Sequence, residues 1–195
     1  MKILGSIINC NTILFVGIIA IIIGCSPMSE TEHDSNAGIN GSFEVVANGL
    51  PVNWQFYTPK TVPDTEFSII IDSTNYKDGK RSLKFDVLSI SNDRNSRYPG
   101  LTSEFIEAGK FSERGKYKVG MWIMNKGSQF EIIAGGVAAK TGNMNTLISS
   151  NEEILLWKYL EYNIDISNDN WLRLELRITA PGTFWIDGIT VERIS

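Results

Sequence analysis

The chain has 195 residues, with 18 Lys and Arg against 22 Asp and Glu, a net charge of −4. That mild acidity excludes the basic face that nucleic acid demands and a polybasic membrane patch. One histidine and two cysteines leave no Ser–His–acid triad, no histidine-ligated zinc and no disulfide framework.

The N-terminal segment is the first element. Lys2 is the only charge before Glu30, and Ile13 to Ile23 is an unbroken apolar run whose only small residues are Gly17 and Ala20. A basic start, a short apolar core and small residues at the exit describe a secretory signal over residues 1–24. Ile22-Ile23-Gly24-Cys25 resembles a bacterial lipobox, which implies cleavage before Cys25 and lipidation of its thiol. The competing reading is a plain transmembrane anchor, since residues 3–24 are nearly long enough to span. Either way the rest of the chain is expected outside the cytosol, in the cell envelope, on the periplasmic or surface face. Cys10 lies inside the signal, so the body of the chain carries no thiol and no thiolate chemistry. Loss of residues 1–24 removes Lys2 and no acid, taking the charge from −4 to −5. Membrane contact is then expected through the lipid alone.

Residues 25–38 read as the lipidated cysteine and a flexible tether, polar, acidic and without apolar periodicity. His33, the single histidine, sits in it. Residues 39–195 form one domain by length, with no internal repeat.

That domain reads as all-β. Phe67–Asp72 is rich in β-branched residues, and Asn75–Lys80 is a turn with Asp78-Gly79 at its tip. Arg81–Val87 alternates, with Leu83, Phe85 and Val87 inward. Ser91–Gly100 is a long polar loop carrying Arg94, Arg97 and Tyr98, and Leu101–Ala108 is a further strand. Lys116–Met124 places Tyr117, Val119, Met121 and Ile123 on one face, and Phe130–Ala134 is a short apolar strand. Lys140–Ser150 reads as a mobile polar loop, and Asn151–Leu160 is open between strand and helical turn. Lys158–Ile166 puts Leu160, Tyr162, Ile164 and Ile166 on one side. Trp171–Ile178 does the same with Leu172, Leu174, Leu176 and Ile178. Period-two segments separated by Gly, Asn and Asp turns indicate a two-sheet antiparallel sandwich with one buried face per sheet.

Six pieces in order then carry a resemblance. They are Asn40-Gly-Ser-Phe-Glu44, Pro51 with Trp54, Asp78-Gly-Lys-Arg-Ser-Leu83, Gly115-Lys-Tyr-Lys-Val-Gly-Met-Trp122, Trp157, and Gly182-Thr-Phe-Trp-Ile-Asp-Gly-Ile189. The chain resembles carbohydrate-binding modules of families four, nine and twenty-two, jelly rolls among the galactose-binding-like folds. Its departures are the long Ser91–Gly100 loop and Gly188, where the family often has a second acid. The family is usually fused to a glycosidase, and no catalytic domain is present in this sequence. The resemblance implies a polysaccharide or oligosaccharide ligand and partner enzymes of glycan degradation. It also implies a structural calcium ion held by Glu44 and Asp187, completed by carbonyl oxygens around Ser73 to Lys80. The competing readings are that the two acids are separately solvated, or paired with Lys80 or Arg81.

The candidate sugar contacts are what remains after the core is assigned. Trp122 points away from Tyr117, Val119 and Met121; Trp157, Tyr159 and Glu161 point away from Leu160 and Tyr162; Arg173, Glu175 and Arg177 oppose the leucine row. Exposed rings stack on the apolar faces of pyranose rings, while guanidinium and carboxylate groups bond hydroxyls. Trp122 with Tyr159 is the expected platform, these residues are expected on one groove, and Tyr98 is a further candidate. The competing role for each Trp is packing: Trp54 in the core, Trp171 and Trp185 sealing strand ends, Trp157 on an edge, Trp122 under the Ser91–Gly100 loop. Ala134-Gly-Gly-Val137 lacks the Lys-Ser/Thr of a phosphate loop. No Glu-x-Asp-x-x-Glu run of the kind some jelly-roll glucanases carry is present. The expectation is a non-catalytic binding domain. The alternative is a structural or protein-interaction sandwich that has lost the sugar groove.

Overall fold

The computed structural model describes residues 32–91, 97–103, 114–137, 142–166 and 171–195. The lipobox-like Ile22–Cys25 and its apolar run therefore lie outside the described residues. Among the described residues, no helix is long and apolar enough to cross a membrane.

The described chain is built of strands, with one short 3-10 turn at Ser35–Ala37. In chain order they are β1 Val46–Ala47, β2 Leu50–Pro51, β3 Gln55–Tyr57, β4 Phe67–Asp72, β5 Ser82–Val87, β6 Gly100–Ser103, β7 Gly115–Lys126, β8 Gln129–Val137, β9 Gly142–Ser150, β10 Ile154–Ile166, β11 Trp171–Ala180 and β12 Gly182–Arg193. Two five-stranded antiparallel sheets face each other. Their orders are β10-β7-β12-β5-β4 and β3-β6-β11-β8-β9. The expected sandwich is the one found.

The core is the set of inward residues from both sheets. Leu83, Phe85, Tyr117, Val119, Met121, Ile123 and Phe184 meet Leu101, Phe130, Ile132, Leu172, Leu174 and Ile178. Trp54 is fully buried in this cluster, as the packing reading expected. Its indole N–H is not left dry: Nε1 donates to the Asn40 carbonyl at 3.2 Å.

Asn40 explains the first of the six pieces without any functional role. It is buried with φ 48°, its Nδ2 donates to the Val45 and Val52 carbonyls, and its Oδ1 accepts from Val45 N. Beside it, a Cβ on Gly41 would stand 1.9 Å from the Ile189 carbonyl oxygen. That close approach lets Ile189 N donate to Gly41 O at 3.0 Å, fastening the first loop to the last strand.

Three expectations change. Gly142–Ser150 is not a loop: it is edge strand β9, paired with β8 along its length. The stretch from Ile154 is strand, not helix, with a register shift between Ile154 and Lys158. The tether is fastened earlier than residue 39. Asn53 Nδ2 donates to the Asp34 and Gly38 carbonyls, and Asn48 Nδ2 donates to Glu32 Oε1.

Candidate functional site

Every strand in the second sheet alternates between the core and the outer face. Inward stand Phe56, Leu101, Leu174, Leu176 and Ile132. Outward, the register sets side chains in rows across the strands. One row runs Gln55, Thr102, Glu175, Ile133, Thr146. The next runs Tyr57, Gly100, Arg177, Glu131, Ser149. Toward the other end follow Arg173 beside Gly135, then Trp171 beside Val137.

Residues pointing away from a core are normally wet, and these are not. Thr102 is 1% exposed, Ile133 6%, Glu175 8% and Tyr57 9%. These outward side chains are thus covered rather than wet, which a recess lying over this face would explain. The recess holds polar atoms that the fold does not satisfy. Gln55 Oε1 and Trp171 Nε1 are buried with no hydrogen-bond partner among the described residues. Such atoms cost about 1–3 kcal/mol each when left dry, so they mark places where a ligand or water completes the bonding.

Charge in the recess is organised around Arg177. Its Nε donates to Glu175 Oε1 at 2.6 Å. Burial would lower the Arg177 pKa, but the hydrogen bond and charge of Glu175, with Glu131 adding, raise it. Thr102 is spent on the sheet itself, its hydroxyl donating to the Leu174 carbonyl at 3.1 Å. At the β3 end, the Arg97 guanidinium lies 5.5 Å from the Tyr57 ring centroid, and its Nη1 donates to Tyr57 Oη at 3.3 Å.

The opposite sheet carries the other expected residues. Trp122 and Tyr159 are register partners on β7 and β10, with ring centroids 5.0 Å apart and planes tilted 51°. Lys77 Nζ sits 4.4 Å from the Trp122 centroid. Trp122 is thus half-buried between a lysine and a tyrosine, and only Tyr159, 42% exposed, is open. Glu161 pairs with Lys118 at 3.9 Å, and Trp157 is half-buried on β10. Trp185, also half-buried, donates from Nε1 to Asp72 Oδ2 at 2.9 Å.

The expectation of one groove therefore needs correction. Trp122, Trp157, Tyr159 and Glu161 lie on the outer face of the first sheet. Arg173, Glu175 and Arg177 lie on the outer face of the second, on the far side of the core. Alternation tells which side of a strand is wet, and not which sheet the strand joins. Tyr98 is half-buried just ahead of β6. Sequence reasoning missed Gln55, Tyr57 and Thr102. A signal existed: Trp54-Gln-Phe-Tyr57 alternates, with Trp54 and Phe56 inward, leaving Gln55 and Tyr57 outward.

Glu44 and Asp187 both bond to the turn that joins β4 to β5. Asp187 is fully buried. Its Oδ2 accepts from Lys77 N at 2.6 Å and Asp78 N at 2.8 Å, and its Oδ1 from Gly188 N at 2.7 Å. Glu44 Oε1 accepts from Lys80 N at 2.6 Å. Gly79 (φ 72°) makes this fit, since a Cβ there would stand 2.4 Å from Glu44 Oε1. Burial pushes the Asp187 carboxyl up to about 6; the three N–H donors oppose the rise and the charge of Asp78 adds to it. Two carboxylates at one turn have the donor type of a hard divalent ion's ligands, but both oxygens of Asp187 and one of Glu44 already accept from backbone N–H groups. The turn meets them with N–H groups rather than the carbonyls expected. Among the described residues no group of three or more His, Cys, Asp or Glu could hold a metal. Arg81, the expected competitor, donates from Nη1 to the Glu44 carbonyl and not to its carboxylate.

No family model and no curated protein matches the sequence. Solved structures do. The CBM22-1 xylan-binding domain from Paenibacillus barcinonensis Xyn10C is 12% identical with a TM-score of 0.55, covering 80% of this chain and 92% of that one. The C-terminal family 22 carbohydrate binding module of Clostridium thermocellum Xyn10B is 15% identical with a TM-score of 0.53, covering 83% and 96%. A further xylan-binding domain from CBM 22 is 14% identical with a TM-score of 0.52, covering 78% and 92%. At such identities the likeness is one of architecture: this chain has the jelly-roll sandwich fold of carbohydrate-binding modules.

Proposed function

We propose that this domain binds a polysaccharide chain without cutting it, in the recess on the outer face of the β3-β6-β11-β8-β9 sheet. The observation that carries the reading is the set of unsatisfied atoms there. Gln55 Oε1 accepts and Trp171 Nε1 donates. Sugar hydroxyls, each both donor and acceptor, match such a mixed set. The xylan-binding domains that share the architecture support it by analogy. A lipid on Cys25 would hold the domain at the extracytoplasmic face of a membrane, presenting glycan to separate degrading enzymes. Calcium at Glu44 and Asp187 would brace the chain ends and take no part in ligand contact.

A glycan array probed with the chain lacking residues 1–24 tests this. Binding is expected on the order of micromolar to millimolar, because a shallow recess must order a flexible ligand. Gln55→Leu should weaken it about five- to thirtyfold, the equivalent of 1–2 kcal/mol, without lowering stability, since the buried acceptor has no internal partner to lose. The second reading, a protein-interaction sandwich, is favoured by Leu155 and Leu156 on edge strand β10, 64% and 82% exposed. An array on which the wild-type domain binds nothing leaves that reading standing and removes the first.

A further inference from the structure

We propose that the Tyr57 end of the recess reads a carboxylate, so that the ligand is an acidic polysaccharide carrying uronic acid residues. This rests on the glycan reading above and narrows it.

Two guanidinium groups flank Tyr57. Arg97 lies over its ring and touches its hydroxyl. Arg177 stands one strand beyond Gly100 in the same row. They differ in how they are held. Arg177 is fixed through Nε by the nearly buried Glu175, which sets the plane of its fork. Arg97 is exposed and forms no ion pair among the described residues. Its one hydrogen bond among the described residues uses one of five N–H donors. A ring beneath a guanidinium orients it and leaves its edge free, and that edge matches a planar carboxylate in bidentate fashion. A neutral sugar gains nothing from this arrangement, because Arg97 covers the ring face on which it would stack. In a chain of net charge −4, long-range attraction does not draw in an acidic polymer. Local geometry must select it.

The test is calorimetric titration of the chain lacking residues 1–24 with polygalacturonate, its carboxyl-reduced neutral counterpart and dextran sulfate. Polygalacturonate should bind about tenfold or more tightly than the neutral polymer. Arg97→Gln should remove most of that margin. Arg97→Lys should not restore it, since an ammonium lacks the fork. Equal binding of acidic and neutral polymers overturns the inference, as does an Arg97→Gln variant that keeps the margin. Dextran sulfate binding as tightly as polygalacturonate, with the same Arg97 dependence, overturns it in favour of undirected charge attraction. If neutral glycans bind on the array and no acidic preference appears, this inference falls and the glycan reading stands. If no glycan binds at all, both fall.

Discussion

Replacing Arg177 by Met tests whether the recess is built as described. Met keeps an unbranched stem of similar reach and removes the charge. What remains is the Glu175 carboxylate, in a residue only 8% exposed, with Glu131 across the ladder. Breaking a fully buried pair costs about 3–5 kcal/mol, and an exposed pair is worth about 0–1 kcal/mol. This pair lies between: the Glu175 side chain is 10% exposed and that of Arg177 is 39%. A loss of about 2 kcal/mol is expected, or roughly 4–8 °C in Tm for a domain of this size. The double variant Glu175→Gln with Arg177→Met removes both charges and should recover most of the loss, leaving a coupling of about 1–1.5 kcal/mol. Urea unfolding of wild type, both single variants and the double variant measures all four corners. Arg177→Met within about 0.5 kcal/mol of wild type would show the face to be open to solvent. A double variant as unstable as the single would show that the stem, not the charge, matters.

Two further outcomes follow from the chain ends. Cys25→Ser should abolish incorporation of labelled fatty acid and block normal signal cleavage; unchanged labelling removes the lipid anchor. Chelation should lower Tm, because an ion that binds only the folded state stabilises it by mass action. Asp187→Ala should reproduce the loss and make melting indifferent to calcium. Identical melting with chelator and with millimolar-scale calcium removes the ion.

What could be read in advance follows burial. Where one face of a strand is core and the other wet, alternation is clean, as in Leu83, Phe85 and Val87, or the leucine row of β11, and these strands were legible. Edge strand β9 was not, because it pairs on one side only and carries Asn143, Asn145 and Thr146 where a central strand would carry apolar residues. The start of β10 was obscured for a related reason. Leu155 and Leu156 are both exposed beside a register shift, which erases the period. The recess was legible only in half. Arg173, Glu175 and Arg177 follow from the period of one strand. Gln55, Tyr57 and Thr102 join them only through pairing between β3, β6 and β11, a long-range fact that no local pattern carries. The same missing information placed Trp122 and Tyr159 in a groove from which the whole core separates them.

Strand β12, last in chain order, lies in the middle of its sheet, between β7 and β5. Before residues 182–193 emerge during synthesis, that sheet exists only as two separate pairs, β4 with β5 and β7 with β10. Asp187 then reaches back 110 positions to bond Lys77. Contacts that distant make folding slow, because loop-closure entropy is lost before they form. The sheet cannot close before residues 182–193 are made. A chain whose sheet stays open until that strand is made remains threadable, as export of the unfolded chain directed by residues 1–24 would require.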